Sequence, residues 1–161
     1  MKRSDTDAAA FAAGVELAAI TLYRQAIDNP RLGEEAISVC NQFMRHHGDH
    51  AASFNELLDQ PVAGDGNRSV LATYRPMLDG APNQRAVLDV AHGLEEMLAA
   101  THLNALGVLA DGSAAASTAT IQGVECQHAV VLGTMLGRPL EMLCPDFDEV
   151  RDAFDPGRFP A

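Results

Sequence analysis

Tryptophan is absent from this chain, aromatic residues make up only 5% of it, and Lys and Arg together number 11 against 22 acids. Each shortage excludes something. Sheets draw on β-branched and aromatic residues, and Ala, Leu and Met runs stand here in their place, so helices are expected. A net charge of −11 argues against nucleic acid, whose phosphates are gathered by clustered Lys and Arg. A solvated acidic surface is its ordinary meaning, although acidic faces also draw in metal cations. Cys40, Cys126 and Cys144 form an odd set without paired spacing, so no disulfide framework is expected and a reducing compartment suits them. The opening stretch, Met-Lys-Arg-Ser-Asp-Thr-Asp, is charged and runs into Ala-rich sequence broken by Glu16, which makes a poor signal peptide. No apolar run reaches the roughly 18 residues that a membrane span requires. The cytoplasm is therefore the expected location, with no membrane among the partners.

What is present fits one domain over residues 1–161, with 47% hydrophobic and 20% charged residues, enough to bury a core. Its most informative stretch is Gly123-Val124-Glu125-Cys126-Gln127-His128, inside an apolar helical repeat over residues 121–136. A spacing of three puts Glu125 and His128 side by side on one helix face. They share the stripe Ile121, Glu125, His128, Leu132, Met135 that should face a core. Two unpaired polar side chains there would cost several kcal/mol. A metal ion suits a carboxylate and an imidazole together, and other helices must complete its shell.

Ser4-Asp5-Thr6-Asp7 is N-cap chemistry for a first helix that runs to about residue 28 and stops at Asn29-Pro30. One acid, Glu16, sits on its inner stripe of Ala9, Ala12, Ile20, Tyr23 and Ile27; such a lone Glu more often snorkels or pairs with a cation than binds metal. A second helix starts near residues 31–34 and continues to about 59, where Gln60-Pro61 ends it. Along its stripe His47 and His50 sit in line with Ile37, Cys40, Phe43 and Phe54, with His46 and Asp49 on neighbouring faces. A surface histidine cluster is the plain account of such a group, but burial among apolar neighbours argues for ligands. Gly48 costs about 1 kcal/mol in a helix relative to Ala, so close approach by a neighbouring helix or a local distortion is its expected purpose.

Residues 61–82, with Pro61, Pro76 and Pro82 among glycines, form a crossover connection containing a short helix near 69–74. A third long helix over about 83–110 carries Glu95 inward and Glu96 toward a flank, with His92 one turn before; it is stopped by Asp111-Gly112. His92 and His102, the latter about two turns after Glu95, read as partners of the ligands, further ligands or ordinary flank residues, and for His102 the last is favoured. A fourth begins near residue 113 and ends at 135–137, leaving 138–161 as a C-terminal extension with a short helix and a tail. Short, long and short connections give an all-α, antiparallel four-helix bundle of two hairpins, its core over about 5–137. At about 1.5 Å per residue, Glu16, His47, His50, Glu95, Glu125 and His128 all lie about 20–28 Å from the turn of their own hairpin, within roughly a turn and a half of one level.

These residues resemble the ferritin-like di-iron carboxylate proteins, nearest in pattern to rubrerythrin-type and bacterial ferritin-like domains. That family carries Glu on the first helix, Glu-x-x-His on the second, Glu on the third and Glu-x-x-His on the fourth, all pointing inward. The matches are Glu16, then His47-Gly48-Asp49-His50, then Glu95, then Glu125-Cys126-Gln127-His128, over about residues 5–137. The resemblance implies metal ligation by all six, with His47 in place of a Glu that usually bridges both metals. An imidazole nitrogen offers one lone pair where a carboxylate has two oxygens, so Glu125 alone would bridge. A single Fe, Mn or Zn, or an asymmetric pair, stays open, as does participation by His92, Glu96 or His46.

The function expected from this resemblance is a redox reaction of reduced iron with dioxygen or peroxide, with Tyr23 as a possible neighbour. No rubredoxin-like Cys-x-x-Cys pair is present, so electrons would come from a separate donor. Two alternatives stand beside it. One is a non-catalytic metal-binding or stress-associated module, as in desiccation-related ferritin-like proteins; the other is a metal-free helical bundle whose acids and histidines pair among themselves. Apolar Ala and Leu faces also allow a homodimer, the commonest assembly.

Overall fold

The computed structural model describes residues 2–143 and 153–160, and every regular element among them is a helix. In chain order they are α1 (Arg3–Ile27), α2 (Glu34–Asn55), α3 (Arg68–Gly80), α4 (Gln84–Leu106), α5 (Gly112–Met135) and α6 (Leu140–Leu143). Residues 144–152, which include Cys144 and part of the expected tail, lie outside the described residues.

The expected bundle forms. Tyr23 meets Phe43 edge-on while Phe54 clusters with Ala12 and Ala13 at the other end, so α2 runs antiparallel to α1. Arg85 donates to the Leu136 carbonyl and Glu95 lies beside His128, which makes α4 and α5 a second antiparallel pair. The crossover is more helical than expected, because Asn67 caps α3 by accepting from the Ser69 and Val70 amides, worth about 1 kcal/mol. Pro76 sits inside this helix. α3 runs along α1, tied by Gln25 to the Arg75 carbonyl and Asp79. Its contact explains why α1 is buried more broadly than a single stripe, with Val15, Ala18, Ala19 and Leu22 inside and Ile20 and Ile27 only half covered.

The cap chemistry differs from the expectation at one end. Lys2 is the N-cap residue of α1 and makes no side-chain cap. Asp5 is buried and accepts the Ala110 and Asp111 amides instead, locking the start of α1 onto the α4–α5 turn. α4 ends at Leu106, short of 110, and Asp111 caps α5 through the Ser113 and Ala114 amides. α2 likewise ends at Asn55, short of 59, because the Asn55 side chain turns to bind both backbone groups of Val62.

Two glycines separate by what surrounds them. A Cβ on Gly48 would meet nothing within 4 Å, so no helix approaches there and the expected close contact is absent. Gly48→Ala should therefore raise stability by about 0.5–1 kcal/mol, read as a higher Tm. Gly66 is the opposite case: its φ is +90 and a Cβ would lie 2.2 Å from the Ala18 amide nitrogen. Its neighbour Asn67 donates to the Gly14 carbonyl at 2.8 Å. Gly66→Ala should cost about 2–3 kcal/mol from backbone strain and overpacking, measured by denaturant unfolding.

By length and composition α1 is long and apolar enough to cross a membrane, contrary to the sequence reading, because one acid does not offset the alanines and leucines around it. In the fold 56% of that window is buried against protein. The described part of the tail folds back: Phe154 and Phe159 join the main apolar cluster, and the Phe154 amide donates to Thr101 Oγ1 at 2.8 Å. A smaller cluster of Ala12, Ala13, Phe54 and Ile121 closes the opposite end. On α1, α2 and α5 the polar residues of interest fall between these two apolar layers.

Candidate metal centre

The helical stripes carry Glu16, His47, His50, Glu95, Glu125 and His128 into one buried polar layer. His47 Nδ1 donates to Glu16 Oε2 at 2.8 Å and its Nε2 to Glu95 Oε1 at 3.1 Å. Glu95 Oε2 lies 3.2 Å from His128 Nδ1. Glu125 Oε2 is 3.3 Å from that same nitrogen, and Glu125 Oε1 is 2.6 Å from His50 Nδ1. Glu16 and Glu95 each carry an outer partner on Oε1: His102 Nε2 donates to Glu16 at 2.6 Å, and the Tyr23 hydroxyl donates to Glu95. Glu125 has no such partner, and both its oxygens are buried without a hydrogen bond.

The electrostatics follow from this crowding. Burial alone would raise the Glu16 and Glu95 carboxyls. Hydrogen bonds from His102 and His47 hold Glu16 well below the usual range, and the charge on His47 does the same for Glu95. Burial pushes the Glu125 carboxyl up, and the neighbouring Glu16 adds to it. Burial would lower His47, but Glu125 and Glu95 beside it raise it well above its ordinary value. Tyr23 is pushed far up by burial and by Glu95, so it keeps its proton.

The same reasoning sets a pH dependence. Burial would lower His50, yet Glu125 and Glu16 beside it lift it from 6.5 to about 9. Its contribution to the stability of metal-free protein is full below about pH 6.5 and is lost as pH rises through about 9. A protonated imidazole cannot bind metal, so zinc affinity should climb over that same window with proton release. Calorimetric titration in buffers of different ionisation enthalpy reads both.

Among the described residues the donors fall into two groups: Glu16, His47, His50 and Glu125, and His47, Glu95, Glu125 and His128, the ligand atoms of each lying within 4.8 Å of one another. His47 and Glu125 belong to both. The set fits a cation on its own chemistry: His50 Nδ1 and Glu125 Oε1 are 2.6 Å apart, yet neither atom has a hydrogen bond. Both face a common space where a positive ion would satisfy them. Carboxylate oxygens with imidazole nitrogens suit Fe, Mn or Zn.

Residues left open by the sequence now have places. His46 joins neither group; its Nδ1 faces His128 Nε2 at 2.9 Å. His92 is buried with Nδ1 3.1 Å from the half-exposed Glu96, and neither belongs to the donor groups. His102 is corrected: it is fully buried on Glu16, stacked on Phe54 at 5.3 Å, and is no flank residue. The signal was present, since His102 follows Glu95 by seven residues, two turns along the same face. Its partner lies on another helix, which spacing within α4 does not reveal.

No curated protein and no solved structure matches this chain. The family model of the ferritin-like domain does match, over residues 4–138, a span that includes all of the donors and, but for Arg3, all four long helices. With its all-helical fold and buried Glu/His groups able to hold a metal ion, the chain belongs to the ferritin-like domain family.

Proposed function

We propose that this chain is an iron-dependent oxidoreductase that holds one ion or an unequal pair among Glu16, His47, His50, Glu95, Glu125 and His128, and reacts with dioxygen or peroxide. The observation that carries the reading is the meeting of two four-residue donor groups at His47 and Glu125. Bound in its reduced form, iron supplies the electrons that either oxidant takes up.

The chain's own residues do the rest. His102 and Tyr23 each hold one oxygen of Glu16 and Glu95, which steadies both carboxylates with Glu16 Oε2 toward His47 and Glu95 Oε2 toward His128. Glu125, unheld, is the only carboxylate common to both groups. A neutral His47 has a single free ring lone pair, its other nitrogen carrying a proton, so it would serve one group at a time where a carboxylate would span both. Three carboxylates against two divalent ions leave one positive charge, which weakens a fully oxidised pair and favours inequality between the ions. Manganese or zinc suits the same donors, and reducing equivalents come from a separate donor.

Burial of all six donors favours a second reading, a metal-binding module without turnover. The two separate cleanly. Protein reconstituted with ferrous iron should consume dioxygen or remove peroxide faster than free iron does. Protein that takes up only zinc, gains stability from it and is inert toward both oxidants would remove the first reading and leave the second.

A further inference from the structure

Beside the polar layer lies an apolar cavity walled by α1, α3 and α4, with Tyr23, Ala26, Leu78, Val90, Ala91 and Leu94 among its lining residues. Among the described residues nothing polar faces its interior, and the two tyrosines in its wall turn their hydroxyls elsewhere. The Tyr23 hydroxyl is turned to Glu95, and the Tyr74 hydroxyl points to Met97 Sδ at 2.9 Å. Ala26 and Ala91 leave the room, since larger side chains at either position would fill it. The free space for the centre of a water-sized guest is about 10 Å³, the lower end of what a single water-sized guest needs. A water there would find no hydrogen-bond partners, whereas apolar cavities stay dry and accept apolar guests.

We infer that this cavity is a binding site for a small apolar molecule, and that in the reaction proposed above the guest is dioxygen. One lining residue touches the metal centre directly: Tyr23 donates to Glu95, the residue that follows the lining Leu94 in α4. A guest in the cavity is therefore separated from Glu95 by one side chain. The same lining discriminates between the two oxidants. Hydrogen peroxide would give up its hydrogen bonds to water without replacement on entering, while dioxygen has none to lose. Binding in the cavity stands on the lining alone; the assignment of the guest as oxidant rests on the proposed function.

Crystals of the purified protein pressurised with xenon test the binding. Xenon should occupy the space between Ala26, Ala91 and Leu94 and be displaced in Ala91→Leu; Ala26→Leu fills the same space from the opposite wall should the first variant fold poorly. Absence of xenon from the wild-type cavity overturns the inference. With iron bound, either variant should show a several-fold rise in KM for dioxygen at unchanged metal content. Displaced xenon with an unchanged KM overturns the assignment of dioxygen as guest. Xenon binding in a protein that consumes no dioxygen with any metal refutes the reading of the metal centre instead, and leaves the cavity as a site for an apolar guest.

Discussion

Glu125→Gln should lose metal from both donor groups at once and abolish iron-dependent oxygen uptake. Its two oxygens are buried without a hydrogen bond, and it is the only carboxylate in both groups. Changing an outer partner of a metal ligand typically weakens affinity about 10–100-fold, and a shared ligand should exceed that. The result is visible without any turnover. At a metal concentration 100 times Kd the wild-type protein gains about 2.7 kcal/mol from binding, a Tm rise of about 5–10 °C for a chain of this size. That rise should vanish in Glu125→Gln and persist in Glu96→Gln, whose half-exposed carboxylate lies outside both groups. Wild-type metal content in purified Glu125→Gln would show that the shared donor is wrongly assigned.

His47→Glu should do the reverse, weakening the metal-free protein and strengthening the metal-bound one. His47 stands between Glu16 at 2.8 Å and Glu95 at 3.1 Å, and all three side chains are fully buried. Breaking a buried pair by removing one partner costs about 3–5 kcal/mol; this exchange removes the partner of two acids and adds a fourth negative charge beside Glu125. In chelator the variant should melt at least about 10 °C below wild type. Two divalent ions bring four positive charges, which four carboxylates balance, so excess metal should rescue the variant by more than it stabilises wild type. Elemental analysis should then find two ions per chain. A His47→Glu protein that melts in chelator at the wild-type temperature would mean that His47 does not hold its neighbouring acids together.

Much of the candidate centre is legible in the sequence because the rules that place a residue on a helix are local. A spacing of three from Glu125 to His128 means one face, and about 1.5 Å per residue means a height along the bundle. The same periodicity turns Glu95 inward and Glu96 to a flank, and the structure buries the one and leaves the other half exposed. Partners between helices were not legible. Asp5 reads as a cap for its own helix, but it closes a turn more than a hundred residues away. Gly48 suggests a close helix contact that does not form, while Gly66, inconspicuous in a Pro- and Gly-rich stretch, is where the backbone crosses α1.

By itself, then, the sequence determined the helices, their order, the donor types and their common depth, all of which follow from the 3.6-residue turn and the rise of a single helix. Only the tertiary structure decided that His102 and Tyr23 would hold Glu16 and Glu95, that the two nitrogens of His47 would face different acids, and that Glu125 would lie among histidines with neither oxygen in a hydrogen bond. Those outcomes depend on how each helix is rotated and tilted against its neighbours. That is set by ridges and grooves contributed by every buried side chain together, and no single spacing in the chain records it.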